Sequence, residues 1–198
     1  MARSSSPDVL QTGAWILSDD QPLSAELEAF LDAGEPPIYF GCGSIRPTEN
    51  LSAVMIESAR AHGRRAIVSR GRADLSLVDV QPDGIAIGEV NQQALFKRVA
   101  AVVHDGGAGT TTAAARAGAP QVVVPQMYDQ LYWAERVQQL GIGRAHAPGA
   151  PSTESLKTAL REALAPDVAV RARVVSAAVR ADGAENAARA LIAEATRS

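Results

Sequence analysis

Short apolar runs alternate along the chain with segments whose apolar residues recur every three or four positions. The runs read as strands: Ile38–Phe40 within "PPIYFGCGS", then "RRAIVSR", "GIAIGEV", "VAAVVH", "QVVVP" and a short last one in "IGRAH". "QVVVP" is apolar without alternation, as expected of a central parallel strand covered on both faces. The periodic segments read as helices. Leu51, Val54, Met55 and Ala59 share helical spacing within 49–62, with Gly63 at the end. "NQQALFKR" is a short helix, 110–117 is one closed by Gly118 and Pro120, and "YDQLYWAERVQQLG" ends at Gly141. Ahead of the first strand, "SAELEAFLDAG" has Ser24 as N-cap, Leu27, Phe30 and Leu31 on one face, and Gly34 as a stop. In the tail, Leu156, Ala159, Leu160, Ala163 and Leu164 make one apolar stripe, and Ala188, Leu191, Ile192 and Ala195 another.

Strands alternating with helices at short spacing predict an α/β fold, a doubly wound parallel sheet with right-handed crossovers and helices on both faces. Residues 1–22 lack periodicity and read as a tail and linker, leaving 23–198 as the domain. Ligands in such sheets sit beyond the carboxyl ends of the strands. The Gly-rich turns at 41–44 and 104–110 both fall at such ends.

Composition narrows the classes. The 198 residues are enough to bury a core, 46% are hydrophobic and 21% charged, and the net charge is −3. No basic stripe appears, which argues against a nucleic-acid surface. The lone Cys42 rules out an internal disulfide and fits a reducing compartment. No apolar run reaches membrane-span length, and "MARSSSPDVLQTGAW" lacks the pattern of a secretory signal. The expectation is a cytoplasmic protein with an added or disordered "ARSSS" tail.

The candidate chemistry centres on residues 102–120, "VVHDGGAGTTTAAARAGAP". A helix beginning there presents unpaired N–H groups and a partial positive charge. Glycines let an anion come close, and threonine hydroxyls add donors. One reading is a phosphate or diphosphate site; the other is a tight turn into an Ala-rich helix packed on the sheet. The stretch is not a Walker A loop, and "GCGSIR" lacks the third glycine of a dinucleotide fingerprint. His104 is either a hydrogen-bonded structural residue or a donor to a diphosphate oxygen. Ser44 is a turn residue, or a phosphate donor if the two loops converge. Asp129 reads as an N-cap and Gln130 as an exposed helix residue, unless both face the crevice and bond sugar hydroxyls. Asp74, Asp79 and Asp83 read as solvated loop residues. His62, His104 and His146 are not at metal-ligand spacing with each other or with Cys42, and no G-x-S-x-G elbow occurs.

The stretch "VVHDGGAGTTTAAARAGAPQVVVPQMYDQLYWAERVQQLGIG" closely resembles the donor-binding signature of family 1 glycosyltransferases, and most of all the actinobacterial enzymes that decorate vancomycin-type glycopeptide antibiotics. "QTGAWIL", "GCGS", "VSRGRADL" and "GEVNQQALFKRVAAVVH" extend the likeness from about Val9 onward. The resemblance implies the GT-B fold, two Rossmann-like domains facing a cleft, of which this chain matches only the C-terminal, nucleotide-sugar half. The acceptor-binding N-terminal domain, with the catalytic base, is missing from the chain.

Carried over position by position, the resemblance places Ser44, His104, Gly107, Ala108, Gly109 and Thr110 at the diphosphate. It places Asp129 and Gln130 at the sugar hydroxyls, and Glu89, Val90 and Gln93 along the base pocket. Trp133 matches an aromatic-rich helix position. No catalytic residue, metal or cofactor is implied. The donor implied is a dTDP- or UDP-sugar, and transfer by the chain alone is expected to be poor or nil. Three positions depart from the family pattern: Asp105 where relatives often carry His, Leu131 where they often carry Pro, and Arg72 where they often carry an aromatic. The rival readings are a natural or engineered stand-alone subunit that pairs with a separate acceptor domain, an isolated domain, and a nucleotide-sugar epimerase. An epimerase would need an acid/base pair that the sequence does not offer.

Overall fold

The computed structural model describes residues 9–41, 50–71 and 75–196. Six strands form one sheet: β1 (Ile38–Gly41), β2 (Ala66–Ser69), β3 (Gly84–Ile87), β4 (Ala101–His104), β5 (Gln121–Val123) and β6 (Gly143–Ala145). Their order is β3-β2-β1-β4-β5-β6, with every ladder parallel. The helices are α1 (Ala25–Asp32), α2 (Leu51–Arg60), α3 (Gln92–Leu95, continued by the 3-10 turn Phe96–Arg98), α4 (Ala108–Ala117), α5 (Gln130–Gln139), α6 (Thr153–Ala163), α7 (Pro166–Ser176) and α8 (Gly183–Ala195).

Successive strand residues point to opposite faces, and both faces are covered. On one, Ile38, Phe40, Val68, Val103 and Val122 pack with Leu51 and Met55 of α2 and Leu156 and Leu160 of α6. On the other, Tyr39, Ile67 and Val102 pack with Leu27 and Leu31 of α1, Leu95 of α3 and Ala114 of α4. A third cluster joins Val123 to Ala134 and Val137 of α5 and Ala172 of α7. This is the doubly wound sheet that the alternation predicts.

Local chemistry sets the ends of the helices. The Ser24 hydroxyl accepts from Leu27 N at 3.2 Å and caps α1. Gly118 closes α4 in the left-handed region, at φ 70°. The segment ahead of α1 runs without regular structure and is tied down by Asn91. The Asn91 carboxamide accepts from Ala94 N, capping α3, and donates to the carbonyls of Asp19 and Gln21, each at 2.8 Å. Arg60 bridges two carboxylates expected to be merely solvated, Asp83 at 2.7 Å and Asp79 at 2.8 Å. The guanidinium holds both below the usual carboxylate range.

One stripe is not core. Leu191 and Ile192 of α8 are 70% and 64% exposed, and the helix instead buries Gly183 and Ala187. The reason is a close backbone approach at its first turn. A Cβ on Gly183 would meet the carbonyls of Gly13 and Ala14, so α8 docks there through its smallest residues.

Candidate functional site

The strand sequence runs outward in both directions from the β1–β4 pair. In open sheets of this order the ligand crevice opens beyond the carboxyl ends of that pair. Gly41 at the end of β1 lies opposite His104 at the end of β4. Ser44 belongs to the loop after β1 and, like Arg72, lies outside the described residues.

The loop from β4 to α4 is built from inside outward. His104 is completely buried. Its Nδ1 accepts from Gly106 N at 3.1 Å, so Nε2 carries the proton and donates to Gln121 Oε1 at 2.9 Å. Burial pushes its pKa down to about 4, against the smaller opposing effects of Gln121 and Asp105. Gln121 is itself fully buried, and its Nε2 has no hydrogen-bond partner among the described residues. Both ring nitrogens are engaged inside the protein here, so the diphosphate contact expected of His104 would require one of these bonds to give way. The residue shapes the loop rather than facing the crevice.

Gly106 sits at φ 95°, a conformation that favours glycine. It also backs onto the next loop. A Cβ there would lie 2.8 Å from Val123 Cγ1 and 3.0 Å from Gln130 O. Asp105 Oδ1 accepts from Gly107 N at 3.1 Å, so the chain's own acid occupies the N–H at the N-cap of α4. Beyond it, Ala108, Gly109 and Thr110 open α4, where helix geometry leaves their N–H groups without intrahelical partners. Ala108 and Gly109 are exposed, and nothing lies within 4 Å of a Cβ placed on Gly109. The Thr111 hydroxyl donates to Gly107 O and stays buried.

The β5–α5 loop is the second wall. Gln130, read as an exposed helix residue, is buried. Its Oε1 accepts from Gln126 N at 2.8 Å and Met127 N at 3.1 Å, so the carboxamide closes the loop from within. Asp129 makes no side-chain cap to α5; Trp133 Nε1 donates to its Oδ2 at 3.2 Å. Asp129 does occupy the N-cap position of α5, but with a helical φ of −68° and ψ of −13° its side chain makes no capping bond. Asp129, Tyr128 and Met127 are exposed at this rim.

Glu89, Val90 and Gln93 follow β3, two strands away from β1. Glu89 is exposed, Val90 packs on the second core cluster, and Gln93 Nε2 donates to Leu17 O at 2.7 Å. Gln93 thus holds the segment ahead of α1 against this region. Among the described residues no group of His, Cys, Asp and Glu could hold a metal, and no helix is long and apolar enough to cross a membrane. Sequence reasoning missed Gln121 and Gln126, whose partners lie across strands and loops. A glutamine inside an apolar strand run was the available signal for Gln121.

Residues 63–196 match the family model described as Erythromycin biosynthesis protein CIII-like, C-terminal domain. The chain belongs to that family. It is 60% identical over 186 residues to glycosyltransferase GtfE of Amycolatopsis orientalis, covering 94% of this chain and 46% of that protein. It is 57% identical to the vancomycin aglycone glucosyltransferase of the same organism, covering 93% and 46%. It is 52% identical to its dTDP-epi-vancosaminyltransferase, covering 84% and 43%. The chain thus spans less than half the length of these relatives, and it corresponds to the C-terminal half of a glycopeptide-type glycosyltransferase. Among solved structures, the glycotransferase of kitacinnamycin superposes with a TM-score of 0.69 at 25% identity, covering 98% of this chain and 47% of that one. SnogD from Streptomyces nogalater, with a TM-score of 0.57 at 24% identity over 91% and 46%, shares the fold. An EryCIII-like C-terminal domain is thus a Rossmann-like α/β unit of the GT-B class.

Proposed function

We propose that this chain is the nucleotide-sugar donor half of an inverting glycosyltransferase of glycopeptide-antibiotic type, taking a dTDP- or UDP-sugar. The observation that carries the reading is the open start of α4. Exposed Ala108 and Gly109 stand at the switch point with free space before them. Their N–H groups and that of Thr110 would bind the diphosphate, with the helix dipole stabilising the nucleotide as it leaves. Gly107 N–H is already held by Asp105, so it would join only if that carboxylate moved aside. Asp129 Oδ1 would accept from sugar hydroxyls, while Gln130 would act by holding the loop. Ser44 would reach the phosphates from the loop after β1. Glu89, Val90 and Gln93 would line the base.

No residue here is offered as the general base, which would come from an acceptor-binding domain outside this chain. Alone, the chain would bind donor and transfer little or no sugar. The exposed Trp15, Leu191 and Ile192 give such a domain apolar surface to meet. Whether it is joined covalently or arrives as a separate subunit, the donor chemistry is the same.

The test is a titration with UDP and dTDP followed by thermal melting. Ligand at 100 times its Kd adds about 2.7 kcal/mol, which raises the melting temperature of a domain this size by about 5–10 °C. A melting curve that stays flat up to millimolar nucleotide would refute the reading.

A further inference from the structure

Tyr128 is the one described residue other than glycine with a positive φ, 54°. Glycine adopts that conformation freely, whereas a bulky aromatic is strained in it. The loop enforces the strain from both sides. Gln130 Oε1 holds the N–H groups of Gln126 and Met127, and Gln126 Nε2 donates to the carbonyls of Val124, Pro125 and Gly149 at 3.1–3.2 Å. The result is a ring that the fold does not use. Tyr128 is 85% exposed, whereas its neighbour Tyr132 packs edge-on against Trp133 at 5.2 Å. Strain held by a part-buried hydrogen-bond network, on a side chain left 85% exposed, points to a partner outside the chain. The position says which. Tyr128 precedes Asp129, and its loop adjoins the β4–α4 turn through the Gly106–Gln130 approach.

We propose that Tyr128 determines donor specificity, its ring stacking on the C–H face of the hexose carried by the nucleotide while Asp129 accepts from that sugar's hydroxyls. This rests on the donor-site reading above. A hexose face is rich in C–H bonds and suits the electron-rich face of an aromatic ring. The Gln126–Gln130 network holds the backbone that carries the ring, so little loop ordering remains to be done on binding.

The experiment compares wild type, Tyr128→Phe and Tyr128→Gly by calorimetric titration with UDP-glucose and dTDP-glucose, and with free UDP and dTDP. Tyr128→Gly is the informative variant because glycine accepts the observed φ, so it folds at least as stably as wild type. It should weaken sugar-nucleotide binding about 3- to 10-fold, the range of an aromatic contact, and leave free-nucleotide binding unchanged. Tyr128→Phe should match wild type for all four ligands. Wild-type sugar-nucleotide affinity in Tyr128→Gly would overturn the proposal and leave the donor-site reading standing. An equal loss in Tyr128→Phe would overturn stacking, because the hydroxyl would then be the contact. Failure of wild type to bind even free nucleotide would overturn both.

Discussion

Replacing Gly109 with alanine separates the stability of α4 from its use. Gly109 is the second residue of the helix, and its φ is not among the positive ones. An added Cβ meets nothing within 4 Å. Alanine there should therefore stabilise the fold, at the low end of the glycine-to-alanine range because the first turn is exposed, by about 0.5 kcal/mol. For a domain of this length that raises the melting temperature by about 1–2 °C. The same methyl group would enter the open space beside the N–H groups proposed to take the diphosphate. Phosphate oxygens must come to about 2.9 Å from those nitrogens, whereas carbon contacts need about 3.5–4.0 Å. Losing one hydrogen bond to a charged group costs about 1.5–3 kcal/mol, or roughly a 10- to 100-fold weaker Kd. Circular dichroism melting without ligand and calorimetric titration with UDP and dTDP read the two effects separately. A folded Gly109→Ala protein that melts at or above wild type and binds nucleotide within twofold of it would refute the idea that this helix start grips the donor.

Two further changes probe the walls of the site. Gln130→Leu removes the acceptor for Gln126 N and Met127 N and should destabilise the protein by about 2–4 kcal/mol in urea unfolding; a loss below about 0.5 kcal/mol would show that the carboxamide does not close the loop. His104 binds a proton at 6.5 in the unfolded chain and at about 4 in the fold, so the unfolded state takes up protons first. Its effect is absent above pH 6.5 and costs the fold progressively more down to pH 4, reaching about 3 kcal/mol there. A His104→Gln variant should lose that slope between pH 6.5 and 4, measured by urea unfolding at each pH, and an unchanged slope would remove His104 as its source.

The sheet could be read from the chain because parallel strands covered on both faces are written as uninterrupted apolar runs, such as Val122–Val124. The helix ends could be read where one residue decides them, as at Ser24 and Gly118. The start of α4 at Ala108, just after the glycines of the turn, could be placed to within two residues for the same reason. What could not be read depends on partners distant in sequence. Leu191 and Ile192 have the spacing of a core stripe, but spacing does not say whether another element covers it. Gln130 has the polarity of a surface residue, yet the loop folds over it and supplies two donors. His104 was recognised as chemistry-bearing, but its direction was set by Gln121 on the neighbouring strand.

These distant partners bear on how the proposed backbone site would be ready before a ligand arrives. Preorganisation requires that the amide groups be held by something other than the ligand. Here each step of the β4–α4 turn is assigned. His104 takes Gly106 N–H, Asp105 takes Gly107 N–H, and Gly106 lies flat against Gln130. The next three amides are left pointing outward by the geometry of the helix. The arrangement works only with a neutral imidazole, because Nδ1 must accept. A protonated ring would turn a second donor toward Gly106 N–H and open the turn. Complete burial enforces that neutrality, and Gln121 fixes the tautomer from the far side. Under the proposed donor reading, the histidine of this motif would serve anion binding by holding Gly106 N–H and so keeping the turn in shape, while the helix supplies the positive end.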